Sequence, residues 1–378
     1  MSRLWDKGVP LDERVLQFTA GEDHALDERL VSHDVRASIA HAQMLRTQGL
    51  LAPADCDAIC AGLTALGATH ARGDWHIELS DEDGQTALER RLTASIGAAG
   101  ARIHLGRSRN DQVLTALRLY MREALAQLAA GAVAVAAALD RLAQRQGAIA
   151  LPGYTHMQQA MPSSVALWAG GYAAELRDDA EGLRAVQRRA GRNPLGSAAG
   201  YGTPGLPLDR NATTRALGFD STQEPVTAVQ LSRGKAEAQL LFYTQEFAFV
   251  DLPEAFTTGS SIMPQKRNPD VLELLRGRAA SALACLTEAL ALCAKLPSGY
   301  QRDLQLLKAP LFRGIDLCGQ SLEVSVPVVD ALQFRAERVK MDPAVHAAGE
   351  AYALVVQEGL PFREAYRRIA ARFTAGGK

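Results

Sequence analysis

The segment "LTALRLYMREALAQLAAGAVAVAAALDRLAQRQGA", Leu114 to Ala148, decides the fold class. It holds no proline, and at 1.5 Å per residue it makes one helix roughly 50 Å long. Its middle, "LAAGAVAVAAAL" from Leu128 to Leu139, has no polar face. A helix apolar all round is buried all round. One chain of 378 residues can hardly cover such a helix on every side, so the spacing predicts a helical bundle completed by further copies.

Proline placement extends the pattern. None occurs between Pro53 and Pro152, and proline breaks helix interiors. Pro162 to Gly191 and Pro269 to Leu296 read as further long helices. No stretch sustains strand alternation, and no internal repeat or low-complexity linker stands out. The sequence predicts an all-α protein.

Charge and composition exclude several classes. There are 41 Lys and Arg against 42 Asp and Glu, a net charge of −1. Neither a nucleic acid nor a membrane surface is indicated as partner. "MSRLWDKGVP" at the N-terminus has no apolar signal core, and the apolar run 128–139 is short for a bilayer. Cys56 and Cys60, at helical spacing without a His/Cys set around them, read as reduced core thiols and not metal ligands. Together these features point to a cytoplasmic protein.

Chemistry gathers at predicted helix ends. In "GSSIMPQKRNPD", Gly259 to Asp270, Asn268-Pro269-Asp270 reads as a helix start. The positive terminus lies just after Lys266 and Arg267. Small residues, a lysine, backbone N–H groups and a helix N-terminus suit a carboxylate or phosphate; a glycine-rich turn with surface cations is the plainer alternative. "HLGRSRNDQ" (His104 to Gln112), "PGYTHMQQAMPSS" (Pro152 to Ser164) and "GYQRDLQLLK" (Gly299 to Lys308) are three more such clusters.

Taken together, these four segments resemble the fumarase/aspartase superfamily and, within it, the argininosuccinate lyase branch. "GSSIMPQKRNP" looks like the superfamily signature; "GRSRNDQ" and "YQRDLQLLK" are similar to the argininosuccinate branch, as is "NPLGSAAGYG", Asn193 to Gly202. The resemblance runs from about Leu4 to about Arg372. It implies an all-α, three-domain fold: an N-terminal helical domain (1–105), a central long-helix bundle (106–337) that assembles into a homotetramer, and a small, shortened C-terminal helical domain (338–378). It also implies cofactor-free elimination of a small-molecule substrate, argininosuccinate, to arginine and fumarate, with no metal. Each active site would be shared between subunits.

Roles follow by the same resemblance. Ser260 is the base, its alkoxide stabilised by the electropositive loop. Lys266 and Asn268, with loop N–H groups, stabilise the doubly negative aci-carboxylate that proton removal creates. His156 pairs with Glu273; whether it protonates the leaving guanidinium or only positions water or substrate stays open. Asn110, Thr155 and Ser261 bind substrate, and Arg107 and Arg109 meet carboxylates. Tyr300, Gln305 and Lys308 hold the rest of argininosuccinate.

Four features depart from the family pattern. Gln85 stands where the family usually has histidine, and glutamine cannot carry a proton. "FTAGEDHALD" lacks the family's N-terminal substrate-contacting serine, Thr19 being the nearest hydroxyl. Lys235 to Phe249 is about half the length of the family's bundle helix there, and the chain stops early, at "FTAGGK". Two alternatives therefore stand beside an active argininosuccinate lyase: a catalytically silent structural or binding homologue, and a sibling lyase for another fumaryl adduct such as adenylosuccinate.

Overall fold

Helices carry most of the described residues. In this computed structural model the described residues are 17, 20–155, 158–232, 258–259, 267–268, 270–294, 302–339 and 341–374. Among them the main helices are α1 (Val31–Thr47), α2 (Pro53–Ala71), α3 (Gly84–Ile96), α4 (Arg109–Gln146), α5 (Val165–Ala190), α6 (Arg210–Ala216), α7 (Val226–Ser232), α8 (Asp270–Cys293), α9 (Lys308–Ala331), α10 (Ala347–Glu358) and α11 (Phe362–Thr374). Three two-stranded pairings complete the set. Antiparallel β1 (Ala150–Thr155) and β2 (Gln158–Ser164) form a hairpin, β3 (Arg192–Asn193) and β4 (Ser221–Thr222) are parallel, and β5 (Thr258–Gly259) pairs antiparallel with β6 (Arg267–Asn268).

The helix ends are written locally. Proline opens α2 at its first turn, where a missing N–H costs nothing. Asp83 caps α3, its side chain accepting from Thr86 N at 2.7 Å. Within the proline-free interval 53–152, glycine does the breaking. Gly73 (φ 78°) follows α2 and Gly97 (φ 69°) follows α3, conformations that cost other residues a Cβ clash.

The chain divides into two compact units, and the division cuts through α4, α5, α8 and α9. The first spans Met1–Ala129, Glu181–Thr244 and Arg278–Gly319. One core joins Val31 and Leu45 of α1, Ile59 and Leu63 of α2, and Leu88 and Leu92 of α3. Cys56 is buried in this core and Cys60 packs at its edge, as the sequence spacing anticipates. A second core joins the other face of α1, through Ala37 and Ala40, to Leu119, Leu195, Leu217 and Phe219.

The second unit spans Ala130–Ala180, Gln245–Gly277 and Gln320–Lys378. Here Val135, Ala136 and Leu139 of α4 pack against Ala169 and Ala173 of α5, with Leu322, Val326 and Val329 of α9 around them. Arg141 grips Asp330 with two bonds of 3.0 and 2.6 Å. Helices α10 and α11 form a small pair around Ala351, Ala365 and Ile369.

The structure corrects several expectations. Residues 150–155 and 158–164 pair as antiparallel strands rather than forming a loop between helices, so α5 begins at Val165 and not Pro162. Asn268 belongs to β6, because Thr258 and Gly259 pair with it and its neighbour, and α8 begins two residues later at Asp270. One expectation holds: a single chain does not cover the apolar centre of α4 on every side. Leu128, Ala132, Val135, Ala136 and Leu139 are buried, while Ala126, Ala130, Val133 and Ala134 on the opposite face are exposed. By length and composition α4 could cross a bilayer, more than its unbroken apolar run suggests, because helical residues on either side extend it. Its buried stripe is the core of this fold.

Candidate active site

The loop before α4 is locked from three directions. Asp111, in the first turn of α4, is fully buried. Its Oδ1 accepts from Ser108 N at 2.9 Å, and its Oδ2 accepts from Gly196 N at 2.8 Å and Ala198 N at 3.0 Å. "GRSRNDQ" and "NPLGSAAGYG" are thereby tied together by one carboxylate, whose burial is offset by three backbone donors. His41 of α1 donates from Nε2 to Leu105 O at 2.8 Å. Arg107 is buried and donates to Ser38 Oγ at 2.8 Å.

Burial shapes the charges here. It lowers the His41 imidazole to about 3 and His104 to about 4, with the Arg107 guanidinium adding to both. Both rings are therefore neutral at pH 7. Burial also lowers Arg107 to about 10, against the pull of Asp111. His104 Nδ1 lies 3.6 Å from Glu89 Oε2, and burial pushes the Glu89 carboxyl above its ordinary range.

Arg109 is the part-exposed arginine of the loop. Its Nη1 donates to Gln112 Oε1 at 3.0 Å and its Nη2 to Thr86 Oγ1 at 3.0 Å, while Asp83 Oδ2 lies 3.3 Å from Nε. Gln112 Nε2 donates to Gln85 Oε1 at 2.9 Å, and Gln85 Nε2 donates to Asp34 Oδ1. Asp34 is enclosed, and burial beside Asp27 and Asp83 drives its carboxyl well above the usual range. Asn110 turns back on the loop, its Nδ2 donating to Ser108 Oγ at 3.1 Å.

Lys308 is 2% exposed. Its Nζ meets Asp27 Oδ1 at 2.5 Å and Asp23 Oδ1 at 3.0 Å. Asp27 Oδ2 also accepts Gly84 N at 3.0 Å. The fit around Gly84 is close, since a Cβ would meet the Asp27 and Asp34 side chains at 3.3 and 3.4 Å and these would have to give by a few tenths of an ångström. Burial raises Asp23 to about 7 against the pull of Lys308. Gln305 sits one turn earlier, its Nε2 donating to Ala20 O at 3.3 Å.

The structure thus brings Arg107, Arg109, Asn110, Gln305 and Lys308 into the first unit. Thr155 is in the second, exposed at the end of β1 and paired with Gln158. Asn268 lies in β6 and Glu273 in the first turn of α8. Ser260, Ser261, Lys266, His156 and Tyr300 lie outside the described residues, as do Thr19 and the short segment 235–249. Among the described residues no group of His, Cys, Asp and Glu could hold a metal ion. Sequence reasoning overlooked Asp23, Asp27, Asp34, Asp111 and Gln112. Asp23, Asp27 and Asp34, spaced four and seven apart, would share a face of one continuous helix, which was the available signal, although the structure sets them on three successive helical elements. Asp111 reads in sequence as an ordinary first-turn acid.

A model of the lyase family matches residues 7–283. Argininosuccinate lyase of Sorangium cellulosum is 45% identical over 394 aligned residues, covering 99% of this chain and 91% of the relative. The chain belongs to the argininosuccinate lyase family, within the fumarase/aspartase superfamily. Argininosuccinate lyases of Stenotrophomonas maltophilia and Phocaeicola vulgatus are 42% and 38% identical, each across 99% of this chain and 91% and 88% of their own length.

Solved lyases share the fold. An EDDS lyase variant with bound fumarate superposes with a TM-score of 0.77 at 25% identity, over 96% of this chain and 76% of that one. Fumarate lyase:delta crystallin from Brucella melitensis gives 0.74 at 16% identity, over 98% and 91%. As an argininosuccinate lyase family member, the chain aligns over more positions than its own 378 residues; the Sorangium relative therefore carries residues that this chain lacks inside the matched span.

Proposed function

We propose that the chain catalyses the reversible elimination of L-argininosuccinate to L-arginine and fumarate, in arginine biosynthesis. The carrying observation is identity of 38–45% to argininosuccinate lyases across 99% of the chain. The enzyme class is carbon–nitrogen lyase.

The hard step takes a proton from the carbon beside a carboxylate. The electron pair left behind spreads into that carboxylate as a doubly negative aci-form. It then returns to form the fumarate double bond as the C–N bond breaks, and the leaving guanidino nitrogen gains a proton. Ser260 is the proposed base, with Lys266 and Asn268 stabilising the aci-carboxylate. His156, oriented by Glu273, serves the leaving-group side. Asn110, Thr155 and Ser261 bind substrate, and Tyr300 and Gln305 hold its amino-acid arm. Of the two loop arginines, Arg109 is the more exposed and the better placed to meet a carboxylate bidentately. Arg107 is enclosed against Ser38. Lys308, buried between Asp23 and Asp27, reaches substrate only through rearrangement of that pair.

The same proposal includes a cytoplasmic homotetramer with sites completed by neighbouring copies, and the division into domains 1–105, 106–337 and 338–378. The exposed alanine and valine face of α4 supports the assembly, since apolar stripes on long helices seek a partner. Ser260→Ala tests the chemistry. Turnover is expected to fall at least about a hundredfold, the usual scale for a proton-transfer group, with KM little changed. Near-normal turnover would move the base elsewhere.

A further inference from the structure

We propose that Gln85 is a positioning residue for Arg109. It acts through a one-way hydrogen-bond chain that runs Arg109, Gln112, Gln85, Asp34. The inference deepens the proposed function and rests on Arg109 facing the substrate.

The polarity of the chain follows from its arginine end. A guanidinium only donates, so Gln112 must turn its oxygen to Arg109 Nη1, at 3.0 Å. That leaves the Gln112 nitrogen to donate to Gln85 Oε1, at 2.9 Å. The Gln85 nitrogen must then face outward, and it donates to Asp34 Oδ1. Each link has one orientation, and each depends on the next. Gln85, Gln112 and Asp34 are 3%, 2% and 2% exposed, so water does not stand in for any of them, and a broken link leaves a buried amide unsatisfied.

The position needs one donor and one acceptor on the same side chain. Glutamine offers both, as does a neutral imidazole. The histidine that the family usually carries here, and the glutamine in this chain, can therefore do the same orienting work without moving a proton. Thr86 holds Nη2 of Arg109 and Asp83 lies by Nε. The chain through Gln85 fixes Nη1, the third corner of the fork.

The test compares the parent with Gln85→Leu, Gln85→His, Arg109→Lys and the Gln85→Leu/Arg109→Lys double variant. KM and kcat are measured for argininosuccinate. In parallel, phenylglyoxal labelling of Arg109 is followed by peptide mass spectrometry against the exposed Arg72. Gln85→Leu is expected to raise KM about tenfold, the size of one charge-assisted hydrogen bond, with kcat within about threefold. It should also speed labelling of Arg109 several-fold and leave Arg72 unchanged. Gln85→His should restore both values. In the Arg109→Lys background, Gln85→Leu should change KM less than about twofold. If Gln85→Leu does not fold, Gln112→Met breaks the same chain one link nearer and should give the same labelling result.

Unchanged Arg109 labelling, or a KM effect that persists in full without Arg109, would overturn the inference. A parent that does not consume argininosuccinate would sink the proposed function alone, because the labelling comparison still decides whether Gln85 orders Arg109.

Discussion

Lys308 shows how a single residue can be legible in type and not in setting. The family resemblance marks it, within "YQRDLQLLK", as a residue that holds the rest of argininosuccinate. The structure surrounds it with Asp23 and Asp27 from a segment about 280 residues away, a pairing no local pattern announces. Removing one partner of a buried ion pair leaves the other charge uncompensated. Lys308→Met is therefore expected to lower unfolding stability by about 3–5 kcal/mol, read from urea denaturation. A residue used only for substrate would raise KM and leave the denaturation midpoint in place. Gln85 is a second case: in sequence it is a departure from family habit, and only the distances to Asp34 and Gln112 give the substitution a use.

Among the elements, the long helix after "GRSRNDQ" was anticipated by sequence, but it starts at Arg109 and not at Leu114, so residues 109–112 of that motif already belong to α4. What holds the loop was not legible, because its partners come from α1 and from residues 196 and 198. One of those ties is sensitive to acid. His41 has a folded-state value of about 3, lowered first by burial, against an ordinary value near 6.5. The folded protein binds fewer protons than the unfolded chain, so this stability is complete above about pH 6.5. It is lost as pH falls toward the folded value, by about 1.4 kcal/mol per pH unit. His41→Gln keeps an N–H for Leu105 O and has no proton to gain. Its unfolding midpoint is expected to vary less between pH 6.5 and 4.5 than the parent's, and parallel curves would remove His41 from the acid response. The hairpin of β1 and β2 escaped the sequence reading because prolines at 152 and 162 and a glycine at 153 obscure strand alternation.

At the scale of the whole molecule, the helical class was legible from long proline-free runs, and the lyase family from four ordered motifs between His104 and Lys308. The two-unit division, which cuts through α4, α5, α8 and α9, was not, since no composition shift marks any of those breaks. Assembly has its own test. If His156 and Ser260 of one site come from different copies, mixed and reassembled His156→Asn and Ser260→Ala chains should recover about a quarter of parent activity, given closed symmetric assembly. Complete sites within each chain would give none. The claim on which the rest depends is the reaction itself. Purified protein mixed with argininosuccinate is predicted to release fumarate, seen by its ultraviolet absorbance, with arginine formed in equal amount. Folded, assembled protein that releases no fumarate at any concentration would contradict the account and leave a silent homologue of the lyases.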